Sequence, residues 1–253
     1  MSKAPTRKWT WFHRFGSPKW FYHFSSGLLP WLWLAVALCL VAGLVWGLAF
    51  APADAKQGNS FRIIYIHVPT SFLALAGYYL MALAGAVGLV WRIKLAMWVL
   101  RAAAPLGAVL TFISLFSGAI WGKPTWGTWW VWDARITSML ILFFLYLGVI
   151  ALQQAFQNEE GANRASAVLA LVGMVNIPII YKSVDWWNTL HQPATIKMTE
   201  APSMHPDMWH PLLLMIVAFY LFYALVLILN LRCEILRHES RSQWVRELCK
   251  SRS

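Results

Sequence analysis

Residues 211–231 of the chain read PLLLMIVAFYLFYALVLILNL and contain no charged side chain. A run of ~20 apolar residues is long enough for an α-helix to cross the hydrocarbon layer of a membrane. Continuous apolar runs fit helices, whereas the strands of a membrane barrel would alternate. Five further runs of this kind occupy residues 28–50, 69–91, 102–120, 136–154 and 165–181. The sequence therefore predicts an all-α integral membrane protein, a six-transmembrane-helix bundle that forms one membrane domain over residues 1–253.

The composition agrees with a membrane protein and excludes an ordinary soluble domain. Of the 253 residues, 59% are hydrophobic and only 12% are charged, which is too few charges to keep a soluble surface in water. The formal net charge of +11 does not indicate a nucleic-acid partner, because the basic residues lie between apolar runs and form no stripe. The first run is also longer than the ~7–15 apolar residues of a signal-peptide core, so we expect it to be a membrane span.

Lysine and arginine are unevenly divided between the two sets of loops that alternate along the chain. The N-terminal segment, the loops at residues 92–101 and at Arg164, and the C-terminal tail together hold 15 of the 21. The remaining 6 lie in loops that contain residues 56–62, 123–135 and 182–197. Positive residues favour the cytoplasmic side, so the pattern predicts that both termini are cytoplasmic. The three less basic loops are then outer loops and the candidates for function.

The second outer loop is rich in tryptophan. Residues 121–135 read WGKPTWGTWWVWDAR, and five of the chain's 17 tryptophans lie in this segment. An interfacial aromatic belt explains isolated tryptophans at helix ends, but it explains this cluster poorly. A short surface helix would place on one face Trp126, Trp129, Trp130 and Asp133. Pro124 and Gly127 instead favour a loop that presents the indoles, so both arrangements remain open for this predicted ligand platform.

Histidines at the same predicted face suggest the ligand. His67 lies where the first outer loop enters the second span, and His191 follows the fifth span. Imidazole on each side of a planar iron macrocycle, with indoles along its edge, is a physically sensible haem site. A lone histidine at a helix end is as often an interfacial hydrogen-bonding residue, but two beside the platform favour ligation. His205 and His210 each precede a proline, and we expect them to be loop or span-entry residues.

Two arginines at this face could bind the propionates of haem. Arg62 and Arg135 carry the rigid guanidinium fork that pairs with carboxylates, although anchoring at lipid headgroups explains each of them equally well. Asp133 would repel a propionate, so we expect it to orient the platform or Arg135. No cysteine falls in an outer loop and the chain has no Cys-x-x-Cys-His motif, so covalent attachment of haem through that motif is not expected.

Residues 121–133 resemble the tryptophan-rich WWD signature of haem-handling proteins in cytochrome c biogenesis. The six spans, the short length, residues 62–69 and the DWWNTLH segment at residues 185–191 resemble the heme exporter protein C family of the bacterial System I pathway, over nearly the whole chain. The resemblance implies a non-enzymatic protein of the inner membrane that binds haem b transiently and non-covalently at the periplasmic face. It implies that His67 and His191 are the axial ligands. With the candidates named above, the predicted cofactor site comprises Trp121, Trp126, Trp129, Trp130, Trp132, Asp133, Arg135 and Arg62.

The same resemblance implies the partners. These are haem itself, a periplasmic membrane-anchored haem chaperone, a small membrane subunit and ABC-transporter subunits. Two other functions are alternatives. A b-type electron-transfer subunit would bury its histidines within the spans, whose interiors contain none. A haem transporter would need polar groups along a midplane path, and charged residues are absent there. No nucleotide-binding motif occurs, so an ATP-driven step would belong to partner subunits.

Overall fold

The computed structural model describes residues 16–191 and 204–250, and no β-strand occurs within these ranges. The α-helices are α1 (Pro18–Val45), α2 (Ile64–Trp91), α3 (Lys94–Trp126), α4 (Ala134–Ala155), α5 (Glu159–Gly173), α6 (Asn176–Trp186), α7 (Pro206–His238) and α8 (Gln243–Lys250). A π-helical turn, Trp46–Phe50, extends α1, and a 3-10 turn, Asn59–Ile63, leads into α2.

Six helical segments are long and apolar enough to cross a membrane, which confirms the predicted fold class. They are Pro18–Phe50, Asn59–Trp91, Lys94–Trp126, Ala134–Ala155, Glu159–Trp186 and Pro206–His238. Each segment contains one of the six predicted apolar runs and extends beyond it, because polar and aromatic residues continue the helix past the apolar stretch. The chain is therefore a multi-pass membrane protein.

The core of the bundle lies between α2, α3, α4 and α5. Tyr78 and Tyr146 are fully buried there with their rings edge to face, and the Tyr146 hydroxyl donates a 2.9 Å hydrogen bond to the carbonyl of Ala74. A Cβ atom at Gly107 would lie only 2.1 Å from the Tyr146 ring, so glycine is required where the ring meets α3. These contacts hold α2, α3 and α4 in fixed relative positions.

The first helix packs differently from the rest. It contacts mainly α7, and much of its surface is exposed, including Trp31 and Leu38. Near its beginning, the Arg232 guanidinium of α7 lies 3.7 Å from the centre of the Tyr22 ring and donates to the Tyr22 carbonyl at 2.7 Å. Exposed apolar side chains of this kind face lipid in a membrane protein, so α1 is a peripheral helix attached to the bundle through α7.

The two ends of the bundle differ in character. At the end that we call the tail face, the start of α1 and the end of α7 pack with α8. At the opposite end, which we call the site face, α3 ends and α4 begins. The two meet there through residues 127–133, a bent and then irregular segment. Of the two arrangements left open by the sequence, the structure therefore adopts the loop that presents the indoles and not the surface helix.

Local conformation explains where α3 and α4 end and begin. Gly127 takes the left-handed conformation with φ of 78° and donates a hydrogen bond to the carbonyl of Lys123 at 3.1 Å, which terminates α3. The Asp133 carboxylate accepts from the backbone N–H of Ile136 at 2.7 Å and caps the start of α4. The Trp-rich segment is consequently fixed at both ends.

Candidate functional site

A cavity of about 280 Å³ opens at the site face between α2, α3, α4 and α6. Seven of the ten predicted site residues line it, namely His67, His191, Trp121, Trp126, Trp129, Trp130 and Arg135. Towards the middle of the bundle its wall is apolar and includes Phe72, Leu75, Leu115 and Met139. The cavity is thus aromatic and cationic near the surface and apolar below.

His67 lies in the first turns of α2, and its Nδ1 is 3.0 Å from the Ser117 hydroxyl of α3. Ser117 donates its own hydroxyl hydrogen to the carbonyl of Ser114 at 3.2 Å. A Ser117 hydroxyl that donates its one hydrogen to the Ser114 carbonyl accepts from the Nδ1 of His67, and Nδ1 carries the proton in that tautomer. The Nε2 atom of His67 is therefore the ring nitrogen with a free lone pair.

His191 lies in the segment that follows α6 and is held by neighbours on three sides. Its Nδ1 is 3.2 Å from Oδ2 of Asp133, and its ring packs against Trp126 with centroids 4.8 Å apart. Its backbone N–H donates to the Thr189 hydroxyl at 3.1 Å, and that hydroxyl in turn donates to Asp133. These contacts fix the orientation of the His191 ring at the cavity wall.

Asp133 lies behind His191 and is not among the cavity-lining residues in the described ranges. Burial by itself would raise the pKa of its carboxyl, but hydrogen bonds from His191, the Ile136 N–H and Thr189 outweigh burial and lower the pKa to about 2. Asp133 is therefore a carboxylate at neutral pH and can only accept hydrogen bonds. The Nδ1 of His191 donates to this carboxylate, and its Nε2 has no hydrogen-bond partner among the described residues.

The five predicted tryptophans have different environments. Trp121 donates from Nε1 to the Gln57 side chain at 2.7 Å and meets the His67 ring edge to face. The Nε1 atom of Trp130 is buried and has no hydrogen-bond partner among the described residues. Trp132 is 74% exposed and packs against Trp130 from outside, and the described part of the cavity does not include it. Four tryptophans therefore form the wall, and Trp132 only supports it.

The structure brings one of the two predicted arginines to the cavity. Arg135 lines it and donates from Nε to the Ser183 hydroxyl and from Nη2 to the Tyr181 carbonyl, both at 3.3 Å. Arg62 instead donates to the carbonyls of Leu48 and Ala51, where it closes the end of the π-helical turn. The geometry gives Arg62 a role in the fold and leaves Arg135 as the cation of the cavity.

The two remaining histidines of the site face lie away from this cavity. The His205 side chain accepts from the backbone N–H of Asp207 at 3.3 Å and caps α7. The His210 ring stacks on Trp46 with centroids 6.3 Å apart. Neither belongs to the described lining, and their placement agrees with the expectation that they are loop and span-entry residues.

Several residues that support the site were not among the candidates. Ser117 and Thr189 position the two histidines, and Gln57 holds Trp121. Gly118 makes room for the His67 ring, since a Cβ atom there would come within 3.0 Å of it. One signal was available for Ser117, because Thr111, Ser114 and Ser117 place hydroxyls at intervals of three residues in the otherwise apolar run at residues 102–120.

The fold and the site together define a class, that of multi-pass helical membrane proteins with a histidine-containing, tryptophan-walled cavity at one end of the bundle. A family model described as heme exporter protein C matches residues 11–246. The chain belongs to the heme exporter protein C family. This membership supports a role in haem handling for cytochrome c maturation.

Relatives of similar length carry the same description. The chain is 47% identical to heme exporter protein C of Haemophilus influenzae over 243 residues, which cover 96% of this chain and 99% of the relative. It is 48% identical to that of Escherichia coli K12 over 244 residues, or 96% and 98% of the two chains. A protein of this name in Paracoccus denitrificans is 40% identical over 92% of this chain and 97% of its own length.

Proposed function

We propose that this chain binds haem b transiently and non-covalently in the cavity and delivers it to a haem chaperone for cytochrome c maturation. His67 and His191 are the axial ligands of the iron. The observation that carries the proposal is that both imidazoles line one aromatic cavity, and that each uses its Nδ1 for a hydrogen bond while its Nε2 has no partner among the described residues. Two such nitrogens are the donor set of a six-coordinate haem.

The rest of the cavity suits the other parts of the haem molecule. The macrocycle is flat and apolar, and the indoles and the apolar inner wall offer matching contact area. Its two propionates are anionic, and the guanidinium of Arg135 is a suitable counter-ion. The unpaired Nε1 donor of Trp130 offers a further hydrogen bond. These features support haem over a wholly apolar ligand, which would use neither the charge of Arg135 nor the Nε1 donor of Trp130.

The proposal includes a location. The uneven distribution of lysine and arginine supports an inner-membrane protein with both termini in the cytoplasm and the site face in the periplasm. A periplasmic, membrane-anchored haem chaperone could then reach the cavity. A small membrane subunit and ABC-transporter subunits are the proposed membrane partners, and any ATP-driven step would be theirs.

Absorption spectra of the haem-loaded chain, purified in detergent, test the ligands. The parent should give a six-coordinate low-spin spectrum. His67→Ala and His191→Ala should each give five-coordinate or weakly bound haem, and the double variant should lose stable binding. His210→Ala is the matched control, because His210 lies at the same face but away from the cavity, and its spectrum should equal the parent's. An unchanged six-coordinate spectrum in the double variant would refute the ligand assignment.

Delivery needs a separate measurement. Cells that contain the periplasmic chaperone should accumulate haem on it when the parent chain or His210→Ala is present. The double histidine variant, although inserted in the membrane at the parent's level, should leave the chaperone without haem. Full loading of the chaperone by that variant would show that delivery does not pass through these histidines, and would favour a b-type electron-transfer role for any haem still bound.

A further inference from the structure

The two histidines of the cavity have chemically different partners. His191 donates from Nδ1 to a carboxylate, whereas His67 donates from Nδ1 to the neutral hydroxyl of Ser117. Both bonds are of similar length, at 3.2 Å and 3.0 Å. The difference between the histidines therefore lies in the charge of the acceptor and not in how closely each ring is held.

The charge of the acceptor changes the strength of an imidazole as a ligand. A carboxylate that accepts the Nδ1 proton increases electron density on the ring and makes Nε2 a stronger donor to a metal. A hydroxyl does so less, because it carries no net charge. Ser117 is itself one member of a neutral chain that ends at the Ser114 carbonyl.

The carboxylate is also held rigidly at its position. Asp133 caps α4 through the Ile136 N–H and accepts from Thr189 as well as from His191. Only 8% of the residue is exposed, so water competes little for its oxygens. His191 is therefore paired with a fixed and poorly hydrated negative charge, while no carboxylate among the described residues bonds to His67.

We propose that the two axial ligands are unequal by construction: His191, paired with Asp133, retains the iron, and His67, paired with Ser117, is the ligand that is displaced during transfer. This inference rests on the proposed function. In the exchange one bond breaks, between iron and the Nε2 of His67. One bond forms, between iron and a neutral donor atom of the receiving protein. No electron or proton needs to move in this exchange, and haem leaves the chain once the remaining bond, between iron and the Nε2 of His191, has also broken.

The first measurement compares the single histidine variants. Haem-loaded His67→Ala should keep its haem, now held by His191, whereas His191→Ala should release it to an excess of apomyoglobin at least about 10-fold faster. Equal release rates, or faster release from His67→Ala, would overturn the inequality. If neither variant differs from the parent in spectrum or release, the proposed ligands themselves are wrong, so the two failures are distinguishable.

The second measurement tests the partners. Asp133→Asn keeps a good helix cap but removes the charge, and it should lower haem affinity by about 10-fold, with Ser117→Ala causing a smaller loss. It should also raise the reduction potential of the bound haem, because an anionic partner stabilises the ferric state. The reduction potential of the bound haem therefore reports the positioning roles of Asp133 and Ser117, because a purely structural role would not shift it.

A double-mutant comparison separates the ligand effect from the capping role of Asp133. If Asp133 acts through His191, the shift in potential caused by Asp133→Asn should persist in the His67→Ala background and disappear in the His191→Ala background. A shift of the same size in both backgrounds would mean that Asp133 acts on the whole site through α4. That result would overturn the proposal even if all of the variants fold and insert normally.

Discussion

At the scale of single residues, the chemistry of the site depends on polar atoms behind the cavity wall as well as on those that face it. Trp130 illustrates this, because its Nε1 is buried and has no partner in the described chain. A buried donor without a partner is costly. A cavity that is completed by a ligand explains why such a donor is retained, since an anionic group of the ligand would satisfy it.

We expect Trp130→Phe to weaken haem binding by about 10-fold, since hydrogen bonds to charged groups contribute about 1.5–3 kcal/mol. Phenylalanine keeps an aromatic ring at the wall, so the loss reports the Nε1 donor. Equilibrium haem titration of the detergent-solubilised protein measures the effect. Trp132→Phe is the matched control, because that indole lies outside the cavity, and it should bind like the parent. Equal affinities for the parent and Trp130→Phe would mean that the donor contacts nothing in the complex.

Asp133 also predicts a pH dependence of stability. Its carboxyl has a pKa of about 2 in the folded chain against an ordinary 3.8, so its contribution is present above pH 3.8 and is lost as the pH falls through about 2. Asp133→Asn cannot ionise. The apparent melting temperature of Asp133→Asn should lie below that of the parent by a constant amount around neutral pH, and this difference should shrink as the pH falls below about 4. The exposed Asp185 provides a control as Asp185→Asn. A deficit for Asp133→Asn that is independent of pH would contradict the charged hydrogen-bond network.

The sequence analysis identified the residues whose side chains can bind a ligand. It missed the residues that form hydrogen bonds to those side chains and fix their positions. The structure brings His67, His191, four tryptophans and Arg135 to one cavity. Arg62 is not among the described residues that line the cavity. The sequence could not distinguish Arg62 from Arg135, because an arginine in a loop has the same chemistry whether it bonds to a backbone carbonyl or faces a ligand. Ser117 and Gln57 lie 50 and 64 residues from their partners, so no local pattern reveals those bonds.

At the scale of elements, the positions of the membrane helices were predictable, but their ends were not. The spacing of Trp126, Trp129, Trp130 and Asp133 matches one helical face, yet only Trp126 is helical. Gly127 adopts the left-handed conformation and ends α3, so the residues after it do not continue the helical face. The fifth apolar run is divided between α5 and α6, and Pro178 explains the division, because it lacks the N–H that would continue the hydrogen bonding across residues 174–175.

We expect Gly127→Ala to destabilise the protein by about 1–2 kcal/mol, because a side chain disfavours the left-handed conformation. A Cβ atom there would meet nothing within 4 Å, so the cost arises from the backbone alone. Gly27→Ala is a matched control inside α1, where the Cβ also meets nothing within 4 Å. It should be neutral or stabilising by up to about 1 kcal/mol. Thermal unfolding in detergent compares the two, and equal melting temperatures would show that the turn at Gly127 adapts.

At the scale of the whole molecule, the six-helix fold follows from hydropathy, while the orientation is a prediction from charge. Apolar runs of sufficient length leave the backbone no alternative to helices in lipid, which is why the fold class was confirmed in full. The sequence could not predict which helices pack side by side. Lipid tails are as apolar as the helix faces, so no hydrophobic pattern indicates which helices are neighbours. Small residues at close contacts, such as Gly107 against Tyr146, select them instead.

We expect cysteine labelling to place the site face outside the cytoplasm. In a background where the three native cysteines are serine, Lys56→Cys should react with a membrane-impermeant maleimide added to intact spheroplasts. Arg241→Cys should react only after the membrane is broken. Both positions are exposed, so the difference reports sidedness. The reverse labelling pattern would invert the topology and remove the basis for a periplasmic recipient.

The pairing of α1 with α7 has a consequence for how the molecule is made. Synthesis proceeds from the N-terminus, so α1 enters the bilayer first, yet its main partner is the last membrane helix to be inserted. In the interval α1 lacks its main partner and most of it faces lipid, which a mean hydropathy of 2.4 over an 18-residue window within Pro18–Phe50 permits. The hydrogen bond from Arg232 to Tyr22 joins residues 210 positions apart. That contact cannot form before α7 is made, and a ribosome that stalls before α7 leaves a nascent chain whose first helix lacks its main partner.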